Sequence, residues 1–175
     1  KDINSYDYAI IAVGAHNMEM PIPHDNSNIV SSWDVLNGQE VTGDCVVIGG
    51  GLVGAETAEY LANKGHQVTI VEMMDKIAAG ESTTVLPLMM KDFADHNVKQ
   101  LVNTKVDHIE NNIVYTANEQ IKADTIINAL GSKKNIFDDS SITIPHVYVG
   151  DCSGERTADI ASAIRTAYHA ANAID

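Results

Sequence analysis

No apolar run in this sequence approaches the roughly 20 residues that a bilayer-spanning helix needs, and no basic-then-apolar leader stands at its start. A cytoplasmic protein without a membrane segment is expected. Cysteine is scarce: there are only Cys45 and Cys152, without CxxC spacing or the partners of a zinc site. That excludes a disulfide framework and a cysteine-held iron–sulfur cluster, and it favours two reduced, half-buried structural thiols over a redox pair. The seven histidines show no HxxxH-type spacing, so no metal site is expected. Positive charge is scarce as well. Eleven basic residues stand against 24 acidic ones, a formal charge of −13, which argues against nucleic acid or an anionic membrane surface as partner.

What remains is enough for a core. The chain has 175 residues, 45% of them apolar, which suffices for one core of ordinary size or two small lobes. Short β-branched runs alternate with amphipathic stretches, the pattern of a layered α/β domain. "YDYAIIAVG" reads as a buried strand, and the proline-bearing "AHNMEMPIPHDNSN" as a connection. "SSWDVLNG" reads as one helical turn capped by Ser31 or Ser32. "CVVIG" is the continuous apolar run of a parallel strand covered on both faces. A helix from Leu52 to Lys64 should follow, stopped by Gly65, then a strand from Gln67 to Glu72. The rows Val85, Met89, Phe93 and Leu86, Met90, Ala94 predict a second helix, provided Pro87 lies in its first turn.

Beyond "NVKQLVN" the period becomes two. "KVDHIE", "NIVYT" and "QIKADTIINAL" are separated by Asn111-Asn112 and by Ala117-Asn118-Glu119, both suited to hairpin turns. A buried strand from Thr125 to Leu130, a polar linker after Gly131, a strand in "HVYVGD" and a last helix from about Thr157 to Ile174 complete the expectation.

One segment carries chemistry. In Gly49-Gly50-Gly51-Leu52-Val53-Gly54, Gly49 permits the tight strand-to-helix turn, Gly51 removes a side chain where backbone approaches a pyrophosphate, and Gly54 lets helix and strand pack closely. The helix N-terminus offers N–H groups and about half a positive charge to phosphates. Glu72 ends the next strand, 23 positions after Gly49, where an acidic residue can accept both ribose hydroxyls of NAD(H). The 2′-phosphate of NADP(H) would face that carboxylate; like charges at ~4 Å cost on the order of 1–4 kcal/mol. The alternative for Glu72 is a solvated strand end. Glu56, two residues past the last glycine, is expected in the first helical turn, where it either complements the helix dipole or borders the nicotinamide side of the cleft.

"GDCVVIGGGLVGAETAEYLANKGHQVTIVEMMDKIA" resembles the NAD(P)H-binding domain of two-dinucleotide flavoproteins of the pyridine nucleotide-disulfide reductase fold. "VEMMDKIA" and "TIINALGSKKN" are most similar to the C-terminal part of Old Yellow Enzyme-like NADH:flavin oxidoreductases, the group of 2-enoate reductase, dienoyl-CoA reductase and trimethylamine dehydrogenase. The resemblance implies a Rossmann-like three-layer domain of parallel sheet, helices and three-stranded antiparallel meander over residues 40–131. Residues 1–39 and 132–175 would be remnants of a discontinuous FAD-type lobe. "YDYAIIAVGA" then matches a strand ending in Ala-Thr-Gly, with Val13 in place of Thr, and "VYVGDCS" matches the late Gly-Asp motif. By the same resemblance Asp151 contacts the flavin ribityl chain, Gly14, Gly150 and Gly131 belong among the cofactor-binding positions, and the last helix points its N-terminus at the flavin ring. A turn residue is the alternative role for Asp151.

The implied cofactors are NAD(H) in this chain and FAD in a partial site, with FMN and an iron–sulfur cluster elsewhere in a longer polypeptide. Its missing N-terminal part is the expected partner. Lys1 in place of Met, and the lack of a fingerprint before Tyr6, fit a fragment that binds NADH but does not oxidise it without added flavin. Two other readings stay open: part of a flavoprotein disulfide reductase or NADH oxidase, and a structural adenine-nucleotide-binding module.

Overall fold

The computed structural model describes residues 2–80, 82–154 and 160–174. In chain order the first elements are β1 (Ala9–Ile11), β2 (Ala15–Asn17), β3 (Ile29–Ser31), α1 (Ser32–Leu36), β4 (Cys45–Ile48), α2 (Leu52–Asn63), β5 (Val68–Val71) and α3 (Leu86–Asp95). There follow β6 (Lys99–Leu101), β7 (Val106–Glu110), β8 (Ile113–Thr116), β9 (Gln120–Lys122), β10 (Thr125–Asn128), β11 (Ser132–Lys134), β12 (His146–Tyr148) and α4 (Ile160–Asn172). The chain divides into two compact units, Asn17–Gly131 and a discontinuous one formed by Lys1–His16 with Ser132–Asp175.

The larger unit is a three-layer α/β sandwich. Its sheet is wholly parallel, in the order β3-β10-β4-β5-β6. Side chains alternate along a strand, so each buried strand feeds two cores. Cys45 and Val47 of β4 pack with Ala55, Ala58 and Leu61 of α2 and with Met89 and Phe93 of α3. Val46 and Ile48 pack on the opposite side with Val106, Ile109, Val114 and Ile121 of the antiparallel meander β7-β8-β9. One face is therefore covered by helices and the other by the meander.

Local chemistry sets the boundaries. Ser31, not Ser32, caps α1: its Oγ accepts from Asp34 N at 3.0 Å. Pro87 falls in the first turn of α3, where its missing N–H costs nothing. At the end of α2, Gly65 (φ +92°) donates to Ala62 O at 2.9 Å and His66 N to Leu61 O at 3.2 Å, the paired bonds that close a helix on a left-handed residue. Asn111 and Asn112 have φ of +52° and +57°, the signature of a two-residue hairpin turn, and Asp25 Oδ2 and Ser27 Oγ accept their N–H groups, each at 2.9 Å.

Some sequence expectations are corrected. The larger compact unit runs from Asn17 to Gly131, because β3 pairs with β10 and carries α1 into the same core, and the expected nucleotide-binding domain, residues 40–131, lies within it. The stretch "NVKQLVN" supplies the edge strand β6, and the linker after Gly131 begins with β11. The strand in "YDYAIIAVG" shrinks to β1, with Ile10 45% exposed. The last helix is described from Ile160; its expected start at Thr157 lies outside the described residues. Among the described residues no helix is long and apolar enough to cross a membrane.

In the discontinuous unit β1 pairs in parallel with β12. The connection before β12 is tied to it by Asp139, whose Oδ2 accepts from Tyr148 OH at 2.7 Å and lies 3.2 Å from His146 Nε2. Those two partners, Tyr148 first, hold the Asp139 carboxyl below its usual range, and the same bond pushes Tyr148 up to about 12. A raised phenol value means that this stabilisation is complete below the ordinary tyrosine value and is lost as pH rises toward about 12. Ultraviolet titration of tyrosinate should show one late-ionising tyrosine in the native protein. In Asp139→Asn that step should move back toward ~10.

Candidate functional site

The loop between β4 and α2 is set at the carboxyl edge of the sheet, where open α/β sheets place ligands. Gly49 N donates to Val71 O, and Ala129 N to Ile48 O, both at 2.9 Å, so the start of the loop is pinned between neighbouring strands. Three of the four glycines are required by the chain itself. A Cβ on Gly49, at φ +100°, would stand 2.5 Å from Ala129 O; one on Gly54 would stand 1.9 Å from Gly49 O. One on Gly50 would meet Ile77 Cδ1 at 2.5 Å and Glu72 Cβ at 3.0 Å. Gly51 differs. Its φ is an ordinary −65°, and among the described residues nothing lies within 4 Å of its Cβ position. Gly51 is the N-cap of α2 and offers no side-chain cap, Leu52 beside it is exposed and Val53 half-buried.

Glu72 is not a solvated strand end. It is 9% exposed, its Oε2 accepts from Gly50 N at 2.6 Å and its Oε1 from Met74 N at 2.7 Å. Its backbone is also fixed, N to Leu101 O at 2.8 Å and O from Thr104 N at 2.9 Å. A carboxylate offers about four acceptor positions, so two remain for a ribose diol. Two residues that the sequence reading left aside complete the cradle. Ile77 lies against Gly50, and Ala78, at φ +51°, donates its N–H to Gly50 O at 2.7 Å. A left-handed alanine has no signature in one sequence; the only hint was the closing "AAG" of that loop.

The other expected residues are placed as follows. Glu56 is exposed and is the fifth residue of α2, beyond its first turn, which has no acidic residue. Its expected role as a dipole partner is thereby lost, because the dipole field fades within one turn. Gly131 is exposed at φ +117°, three positions past β10. In the discontinuous unit Gly14 (φ +69°) and Gly150 (φ +67°) follow the paired strands β1 and β12, and Val149 N donates to Ile11 O at 2.9 Å, so both glycines lie at one carboxyl edge. Asp151 is half-buried in the first turn of the 3-10 segment Gly150–Ser153. Cys45 and Cys152 are buried free thiols, and burial pushes Cys45 up to about 11, away from thiolate chemistry.

Open space beside Gly51, an uncapped helix start and a carboxylate at the neighbouring strand end fit a dinucleotide: phosphates at the helix N-terminus and ribose toward Glu72. The glycines are separable by experiment. Gly54→Ala should cost about 3 kcal/mol of stability through overpacking against the Gly49 carbonyl. Gly51→Ala should cost about 1 kcal/mol or less, a lost N-cap preference. Urea denaturation measures both, and equal midpoints for the two variants would contradict the assignment.

A family model described as pyridine nucleotide-disulphide oxidoreductase matches residues 2–173. The chain is 44% identical over 177 residues to bilirubin reductase of Mediterraneibacter gnavus, covering 96% of this chain and 28% of that protein. It is 29% identical over 143 residues to dihydrolipoyl dehydrogenase of Bacillus subtilis, with coverage of 78% and 31%. A solved structure of 2-naphthoyl-CoA reductase in complex with 2-naphthoyl-CoA matches with a TM-score of 0.79 and 26% identity, over 93% of this chain and 26% of that one. The chain thus spans less than a third of the length of these relatives. The parallel sheet, its covering helices and its meander, together with a family match from residue 2 to residue 173, establish that the chain belongs to the pyridine nucleotide-disulphide oxidoreductase family.

Proposed function

We propose that the unit Asn17–Gly131 binds NADH and that the chain is the nicotinamide-accepting part of a longer, NADH-dependent flavin oxidoreductase that reduces an enoate-type substrate. The observation that carries this reading is the open space at Gly51, a glycine that the fold does not need, beside the buried Glu72 carboxylate. The loop Gly49–Gly54 holds the pyrophosphate, Glu72 accepts the adenosine ribose hydroxyls and turns away a 2′-phosphate, and Leu52 and Val53 border the cofactor. Glu56 and Gly131 lie toward the rest of the cofactor.

FAD, when bound, supplies the hydride acceptor. Gly14, Gly150 and Asp151 would form this chain's share of its site, supported by their placement at one carboxyl edge of β1 and β12. FMN and an iron–sulfur cluster belong, in this reading, to the remainder of the polypeptide, since a cluster needs about four cysteine ligands and this chain has two cysteines, both buried. A reducing, cytoplasmic setting suits two free thiols. The enoate-type substrate is supported by the resemblance of "VEMMDKIA" and by relatives named as reductases of bilirubin and of 2-naphthoyl-CoA.

The likeness to dihydrolipoyl dehydrogenase favours a second reading, in which the same NADH site serves a flavoprotein disulfide reductase. A cysteine pair near the flavin, carried by the remaining polypeptide, separates that reading from the first. Calorimetric titration of the chain should show NADH binding, with NADPH at least about tenfold weaker from the charge opposition at Glu72. ADP should bind more weakly than NADH; equal affinities would favour a structural nucleotide module. Gly51→Val should abolish NADH binding while the protein stays folded, and absorbance at 340 nm should stay constant until flavin is added.

A further inference from the structure

We infer that Glu72 is a positioning residue for the pyrophosphate loop as well as a ribose acceptor: its carboxylate builds the cradle before any nucleotide arrives. The inference rests on the nucleotide-site reading above and deepens it.

Two N–H groups from different loops converge on this one buried side chain, Gly50 N from the turn after β4 and Met74 N from the turn after β5. Charge-assisted bonds of this kind are roughly twice as strong as neutral ones. The Gly50 peptide is held at its other end too, because its carbonyl accepts from Ala78 N at 2.7 Å. Ala78 adopts φ +51°, a conformation that an alanine takes only when its surroundings impose it. Glu72 Cβ and Cγ and Ile77 Cδ1 lie 3.0, 3.3 and 2.5 Å from where a Gly50 Cβ would be, so the segment after β5 is packed against the middle of the glycine loop.

Without the carboxylate, the Gly50 N–H would be left unpaired in a buried place, and the loop would have to turn to find water. A change at position 72 therefore acts on the ribose end and on the phosphate end at once, although the side chain would touch only the ribose.

ADP and 2′,3′-dideoxy-ADP separate the two duties, because the second ligand has no hydroxyl for residue 72 to accept. Both are titrated calorimetrically against the full chain and its Glu72→Gln and Glu72→Ala variants. The isosteric amide keeps one acceptor oxygen and preserves the packing, so it guards against simple misfolding of the alanine variant. In Glu72→Ala, which leaves the Gly50 N–H without a side-chain acceptor, dideoxy-ADP should bind on the order of tenfold more weakly than to the native protein, and in Glu72→Gln, whose single oxygen serves only one of the two N–H groups, more weakly by a smaller factor. The ratio of ADP to dideoxy-ADP affinity should also fall toward one, which a general loss of stability would not cause. Hydrogen exchange at Gly50 N–H in the nucleotide-free protein should accelerate, with Val47 N–H unchanged. If in Glu72→Ala as well as in Glu72→Gln ADP binding weakens while dideoxy-ADP affinity and Gly50 exchange stay native, Glu72 acts through the diol alone and the inference is overturned. If the native protein binds neither ligand, it is the nucleotide reading that fails.

Discussion

Between the carbonyl oxygen of Gly49 and the α-carbon of Gly54 there is no room for a side chain, since an added Cβ would stand 1.9 Å from that oxygen. This contact fixes how closely α2 can lie against β4, and much of the larger unit follows from it. Ala55, Ala58 and Ala62 continue the narrow face along the helix, so that Val47, Ile70 and Ile127 can pack beneath it. A helix held this close brings its first turn directly over the end of the strand. The place where phosphate would be received is thus a by-product of packing, and only Gly51 stands outside that account.

The parts of the fold legible in the sequence were those whose cause is local. A left-handed glycine after α2, a pair of asparagines between β7 and β8, and a proline in the first turn of α3 each impose their geometry wherever they occur. The continuous apolar run Cys45–Ile48 was equally clear, because burial on both faces leaves no polar alternation. By contrast β3, β6 and β11 are three residues long and carry polar side chains. They exist as strands through the neighbours they pair with, and pairing is not written in a segment's own composition.

The site divides in the same way. The spacing from the glycines to Glu72 was visible, and so was the chemistry of a carboxylate at that position. Its hydrogen bonds to Gly50 and Met74 were not, since they depend on two loops meeting in space. Glu56 shows the opposite error: counting from the glycines puts it in the first turn, but α2 begins at Leu52 and carries Glu56 past it. Among the unexpected residues, Ala78 matters most, for it works through its backbone and its side chain says nothing.

The discontinuous unit has a consequence for how the chain is made. Ala9 pairs with His146, 137 positions later, so the β1–β12 pair cannot form until the whole segment between the two strands has been synthesised. The segment between can complete its own sheet earlier, and when it does, Met18 N donates to Gly131 O at 2.9 Å and brings the two crossing strands of chain side by side. What began as a long, entropically costly loop becomes a short connection through a folded body. In this order of synthesis the insert closes its own ends before the second strand of its host is made.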